Sequence, residues 1–142
     1  MNYGSNDSIN THVKVFGIED FWGNIWEWID GLTTDSSRNI ITNWDYDKAG
    51  NNNDFSFASG LTSDSSGWVK DVAGTTEAGF MNILYSGSST TYFCDYGYLY
   101  AGRVLAFGGH WANGAKTGPF RLIASVSASD ASSAIGARLM YL

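Results

Sequence analysis

The sequence predicts an α+β fold of short helices, small antiparallel sheets and long irregular loops, and three observations carry that reading. The 142 residues include 17 glycines but one proline, with 15% aromatic residues; glycine disfavours helices, whereas Trp, Tyr and Phe suit pleated, half-buried surfaces. Between Glu19 and Ile29 the apolar residues Phe21, Trp22, Ile25, Trp26 and Ile29 recur at helical period. From Phe120 to Val126 the pattern alternates instead, with Phe120, Leu122, Ala124 and Val126 on one face and Arg121, Ile123, Ser125 and Ser127 on the other.

Taken in chain order, residues 1–10 are polar and irregular and read as a linker or cloning remnant, leaving 11–142 as one domain. A chain of this length buries roughly 68–70% of its unfolded surface. The helix expected over Glu19–Ile29 would end at Gly31 as its C-cap. Residues 32–67 carry three turn-forming clusters, TTDSSRN, DKAGNNND and TSDSSG, with Ile40, Ile41, Trp44, Tyr46, Phe55 and Phe57 as brief apolar anchors between them. Arg103–Trp111 reads as strand, glycine kink and strand, followed by the loop ANGAKTG. The terminal AIGARLMYL reads as a closing strand.

Charge and cysteine content exclude whole classes of function. Fourteen acidic residues outweigh eight basic ones for a net charge of -6, and no Lys/Arg cluster supplies the footprint of a nucleic-acid or anionic-membrane binder. No apolar run approaches the ~18 residues of a membrane span, so membrane insertion is not expected. The start of the chain lacks a basic segment followed by an apolar one, which predicts a product made soluble and leaves action outside the cell after release open. A single cysteine, Cys94, excludes an intrachain disulfide and a multi-cysteine metal site.

The remaining chemistry is sparse. Carboxylates pair as Glu19/Asp20, Glu27/Asp30 and Asp45/Asp47, but acid–base work needs one pair in a cleft with separated pKa values, and solvated faces or caps are the plainer reading. Asp45, Asp47, Asn51, Asn52, Asn53 and Asp54 cluster oxygen ligands of the kind calcium takes, without the ordered loop spacing. His12 and His110 are the only histidines. A triad of His110, Asp95 and a serine is unspecified by any elbow motif, and GAKTG lacks phosphate-loop spacing. Cys94, set among aromatics, reads as a buried inert thiol. No metal, no cofactor and no catalytic residue is expected. Trp22 and Trp26 read as core, whereas Trp28 leaves a sugar-stacking role open.

Two motifs, GNIWEW over Gly23–Trp28 and GGHW over Gly108–Trp111, together resemble the C-type lectin fold as it occurs in proteins similar to formylglycine-generating enzyme. From about Thr11 onward, FGIEDFWGNIWEW, YFCDYGYL, FGGHWANGAKTGPF and IGARL are more similar to phage tail receptor-binding proteins, including the variable proteins diversified by retroelements. The resemblance implies that the first motif places indole rings from a helix into the core, that the glycine pair lets Trp111 approach it, and that late-segment residues contact a target. It also implies diversification by mutation of template adenines. An AAC codon can then become any NNC codon, which suits His110, Ala112, Ile123, Ser125, Val126, Asp130, Ser132 and Ala134 but not Lys116. Formylglycine chemistry needs a cysteine pair, and calcium-dependent sugar binding needs EPN- or QPD-like and WND signatures; this chain has neither.

The function expected on this reading is a non-enzymatic module of a phage or prophage tail fibre or adhesin, displayed on the virion, that recognises a host cell-surface protein or glycan. Its contact surface would comprise His110, Ala112, Asn113, Lys116, Arg121, Ile123, Ser125, Val126, Asp130, Ser132 and Ala134. Arg121 would be the exposed anchor, with Tyr96 and Tyr98 as aromatic neighbours. Display as a homotrimer within a longer fibre would add avidity. Two rivals remain open: a fixed carbohydrate-binding module using Trp28, Trp44 or Trp68, and a structural virion decoration domain.

Overall fold

The computed structural model describes residues 14–16, 18–42, 55–57, 63–75 and 79–137. Residues 1–10, His12, Trp44, the 45–54 acid and amide cluster and the end of the terminal AIGARLMYL segment lie outside the described residues. The architecture is mostly β, 44% strand and 6% helical, dominated by one curled mixed sheet, which overturns the α+β expectation of short helices; small antiparallel pairs occur only beside that sheet.

Strands β1 (Lys14–Val15) and β2 (Ile18–Glu19) form a small antiparallel pair. The main sheet takes β3 (Trp26–Thr34), β4 (Ile40–Thr42), β5 (Phe55–Phe57) and β6 (Ser65–Trp68). A separate ribbon of β7 (Asp71–Thr75) and β8 (Gly79–Leu84) follows. The chain then returns to the main sheet through β9 (Tyr96–Leu99), β10 (Val104–Phe107), β11 (Leu122–Val126) and β12 (Ile135–Gly136). Across the sheet the order is β5-β4-β3-β10-β11-β9-β6, with β12 beside β3. Neighbours are antiparallel except β11 with β9 and β12 with β3.

The helix expected over Glu19–Ile29 is absent for a reason that local periodicity does not contain. Left-handed backbone at Asp20 (φ 53°) and Gly23 (φ 89°) stops a helix from propagating. The backbone groups of Trp26–Thr34 are claimed on two edges, by β10 on one side and by β4 and β12 on the other. Trp and Ile are also strand-favouring residues, so pairing across the sheet prevails over the i, i+4 stripe. Gly31 is not a helix C-cap. It sits inside β3 with φ 74°, where the register against β10 jumps from Ala106↔Trp28 to Val104↔Thr33.

Alternation in β10 and β11 sorts side chains onto the two faces of the sheet. On one face Leu32, Ile40, Leu99, Leu105, Leu122 and Ala124 form the main core, which Met81 of the ribbon joins. On the other, Trp26, Ala106 and Ile123 form a second cluster, flanked by Trp28, Tyr98, Val126 and Ile135. The regular alternation expected for β11 fails at its end. Val104 pairs with Val126 but Ala106 with Ile123, so Leu105 alone opposes Ala124 and Ser125. That bulge carries Val126 onto the face of Ile123 rather than the face of Leu122 and Ala124.

Polar side chains fasten the strands at two buried points. Thr34 Oγ1 donates to the Tyr100 carbonyl (2.6 Å) and accepts from the Arg103 N–H (2.9 Å), tying β3 to the β9–β10 turn. Asn82 Nδ2 donates to the Phe120 carbonyl (3.0 Å), joining the ribbon to the approach to β11. No helix among the described residues is long and apolar enough to cross a membrane.

Candidate functional site

After β10 the chain turns sharply at Gly108 (φ 90°) and Gly109 (φ 82°). Only glycine meets both demands at Gly109, because an added Cβ would lie 2.5 Å from Thr117 Cγ2 and 3.0 Å from Arg121 Cδ. Beyond the pair, a 3-10 helix over Trp111–Lys116 replaces the expected strand end and loop. His110 caps it: the Ala112 N–H donates to His110 Nδ1 (3.3 Å), and Asn113 Oδ1 accepts from the His110 N–H (3.0 Å). The other ring nitrogen, Nε2, lies 3.1 Å from Asn113 Nδ2. Burial, followed by the Arg121 charge, holds the His110 pKa below its ordinary 6.5, which keeps the ring neutral and able to accept.

This turn walls one side of an open depression of about 340 Å³. Its base includes Trp26, Arg121 and Ile123; Tyr98 lines it from β9, and His110 and Asn113 from the turn. Ser125, Val126, Ser132, Ala134 and Ile135 complete the lining. The late segment is anchored by backbone: the Trp26 N–H donates to the Ala134 carbonyl (2.8 Å) and the Ile135 N–H to the Ser132 carbonyl (3.2 Å). Ser132 Oγ also accepts from the Ala134 N–H (2.9 Å).

Arg121 dominates the electrostatics. Its guanidinium carbon lies 4.7 Å from the Trp26 ring centroid, and Nη1 donates to the Lys116 carbonyl (2.7 Å). Nε has no hydrogen-bond partner, and no carboxylate among the described residues pairs with the group. Burial pushes its pKa down to about 10, opposed by Tyr98, Asp95 and Tyr96, so it stays cationic at neutral pH. Behind it, burial pushes the Asp95 carboxyl up to about 6, opposed by its bond from the Phe120 N–H and by the Arg121 charge. Asp95 Oδ2 accepts that bond at 2.8 Å, and the carboxylate fills the space where any side chain on Gly118 would lie.

Eight of the eleven sequence-derived contact candidates line this depression: His110, Asn113, Arg121, Ile123, Ser125, Val126, Ser132 and Ala134. The other three stand outside it. Ala112 is exposed on the 3-10 helix. Lys116 places Nζ 4.6 Å from the Tyr96 ring centroid. Asp130 Oδ2 accepts from the Ser127 N–H (2.8 Å), closing its own turn. Arg121 is 2% exposed, so it is a group at the base of the depression and not the protruding anchor expected of it. Its aliphatic stem and charge are covered by Gly109, Trp26 and the 3-10 helix. Trp111 also departs from expectation: it is 59% exposed rather than drawn to the core, although its N–H donates to the Asn24 carbonyl (3.0 Å).

Tyr98, expected as an aromatic neighbour, lines the depression itself, and Trp26 and Ile135 complete it without having been expected there. The signal for Tyr98 was the alternation Tyr96-Gly97-Tyr98-Leu99-Tyr100, which puts three rings on one face of β9. Ring centroids there are 5.3 Å apart for Tyr96–Tyr98 and 5.9 Å for Tyr98–Tyr100, and Trp68 meets Tyr96 edge-on at 5.4 Å.

No protein-family profile, curated protein or solved structure matches the chain. The chemistry of the site therefore rests on its own residues. His110 and Asp95 share no hydrogen bond among the described residues, because the imidazole caps the 3-10 helix while the carboxylate holds the Phe120 N–H. Cys94 sits apart, its thiol donating to the Thr91 (3.6 Å) and Tyr92 (3.8 Å) carbonyls. Among the described residues no group of three His, Cys, Asp or Glu side chains is placed to hold a metal ion. Trp28 packs half-buried against the second cluster.

Proposed function

We propose that the depression is the contact surface of a non-enzymatic ligand-binding module, carried by a phage or prophage tail fibre or adhesin and directed at a host cell-surface receptor. The observation that supports this reading is convergence. Residues chosen from the late segment as contact candidates come from β11, from the 3-10 helix and from the approach to β12, and eight of them meet in one depression. The site is preorganised: its polar members are tied by main-chain bonds before any ligand arrives, so little ordering cost falls on binding. Small side chains such as Ser125, Ser132 and Ala134 give a weak single site, and several copies on one fibre would raise avidity by about 10²–10⁴.

The test is sequencing of this coding segment across a phage or prophage population. Substitutions concentrated at His110, Asn113, Ile123, Ser125, Ser132 and Ala134, beside an adenine-containing near-copy of the segment, are the expected result for a retroelement-diversified surface. Variation spread evenly over the chain would remove the depression from consideration as a contact surface.

A further inference from the structure

We infer that the depression takes a carboxylate-bearing sugar, with the acid group directed to Arg121 and the adjoining sugar units running along the aromatic row of β9. This deepens the proposed function and rests on it for the location of the site. A buried guanidinium is ordinarily matched by a carboxylate, since an unpaired buried charge is strongly unfavourable. Arg121 has no such match: of its five N–H donors one is used, on the Lys116 carbonyl, and Nε is unpartnered. Asp95 is the nearby acid, but its Oδ2 is held by the Phe120 N–H and it forms no ion pair with the guanidinium. In a chain of net charge -6, the depression thus carries a positive charge that Asp95 offsets through space without a hydrogen bond or ion pair, and a carboxylate is the fitting partner for its remaining donors.

Size and lining narrow the acid to a sugar unit. About 340 Å³ stands at the small end of ligand pockets and suits a single ring rather than an extended peptide. The lining sets Ile123, Val126 and Ile135 against the hydroxyls of Ser125 and Ser132 and the amide of Asn113. That combination matches a pyranose, with apolar C–H faces and a hydroxyl edge. Tyr98 belongs to the depression and also to the row Trp68–Tyr96–Tyr98–Tyr100, whose half-buried rings continue out of it at 5.3–5.9 Å intervals. Aromatic rings at that spacing offer contacts to successive units of a glycan whose acidic end occupies the depression. Lys116, seated over Tyr96, adds a second cation beside the row.

The test is an NMR titration of the wild-type protein with sodium glucuronate, galacturonate and N-acetylneuraminate, with glucose and galactose as neutral counterparts. The Arg121 Nε–H and Trp26 indole N–H resonances are followed. At least one acid should shift both resonances and bind about tenfold or more tightly than the neutral sugars, as a charge-assisted hydrogen-bond pair implies. Arg121→Met should erase the difference between acid and neutral sugar while the spectrum stays folded. Equal binding of acids and neutral sugars by the wild type, or no shift from any acid at tens of millimolar, overturns the inference. Adsorption of Ser132→Trp protein to host cells then separates the two readings. Lost adsorption keeps the contact surface and discards the acid, whereas undiminished adsorption discards both.

Discussion

The Arg121 guanidinium reaches across β10 to lie 4.7 Å from the ring centroid of Trp26. Trp26 belongs to β3 and Arg121 immediately precedes β11, and β10 separates those two strands. The reach is possible because β10 offers nothing bulky on that face. Ala106 is fully buried between the strands, and Gly108, whose N–H donates to the Arg121 carbonyl (2.9 Å), is followed by a second glycine lying against the arginine stem. A desolvated cation–π contact of this kind contributes about 2 kcal/mol.

The first prediction concerns that glycine. Gly109→Ala imposes a left-handed backbone on a residue with a Cβ and drives that Cβ against Thr117 and Arg121. We expect a loss of about 2–3 kcal/mol in urea unfolding. Gly102→Ala, at φ 64° with open space around its Cβ, should lose only about 1 kcal/mol. Equal losses would show that backbone strain alone, and not the contact with Arg121, makes Gly109 necessary.

Arg121 itself separates volume from charge. Arg121→Ala leaves a hole beside Trp26 and should lose about 2–4 kcal/mol in urea unfolding. Arg121→Met fills much of the same space without an unpaired charge and should stay within about 1 kcal/mol of the wild type. If Met unfolds the protein as Ala does, the guanidinium is required for the fold.

The pH dependence of Asp95 has an unusual sign. Its folded pKa, about 6, lies above the ordinary 3.8, so its contribution to stability is full below pH 3.8 and is lost as pH rises through 6. Asp95→Asn retains an oxygen for the Phe120 N–H without that titration. Relative to the wild type, the variant should gain on the order of 2–3 kcal/mol between pH 3.5 and pH 7. A flat difference across that window would contradict it.

His110 runs the other way. With its folded pKa lowered, the neutral ring stabilises the protein above pH 6.5, and that contribution is lost as pH falls below it. His110→Ala should therefore lose about 1 kcal/mol at pH 8, typical of a missing cap, and progressively less toward pH 5. Urea unfolding of both proteins at several pH values measures it.

Thr34 supplies the last prediction. Thr34→Val preserves shape but strands the Tyr100 carbonyl and the Arg103 N–H, and should lose about 2 kcal/mol in thermal or urea unfolding.

Strands β10 and β11 were readable because their determinants are local, whereas the strand expected beyond the glycine pair is a 3-10 helix. Alternation at Arg121–Ala124 sorts side chains onto two faces, and His110, Asn113, Ser125 and Ser132 meet because they flank that strand. The helix expected near Trp26 misled because Phe21, Trp22, Ile25, Trp26 and Ile29 satisfy a helical stripe, while the pairing of Trp28 with Ala106 depends on residues nearly eighty positions later. Arg121 reads as a surface residue by type; only its distant partner, Trp26, and the close approach of Gly109 bury it. The bulge that turns Val126 toward the depression has no mark of its own in the alternating run.

The carbonyl of Ala134 holds the N–H of Trp26, and the carbonyl of Ser132 holds that of Ile135. Every amino acid brings the same carbonyl. The late segment is thus moored chiefly by groups that no substitution removes, and what the side chains at Ser125 and Ala134 display is largely decoupled from what keeps the sheet together, whereas Ser132 Oγ adds a bond of its own to the Ala134 N–H. A protein built this way can rewrite its surface while its skeleton stays indifferent to the text.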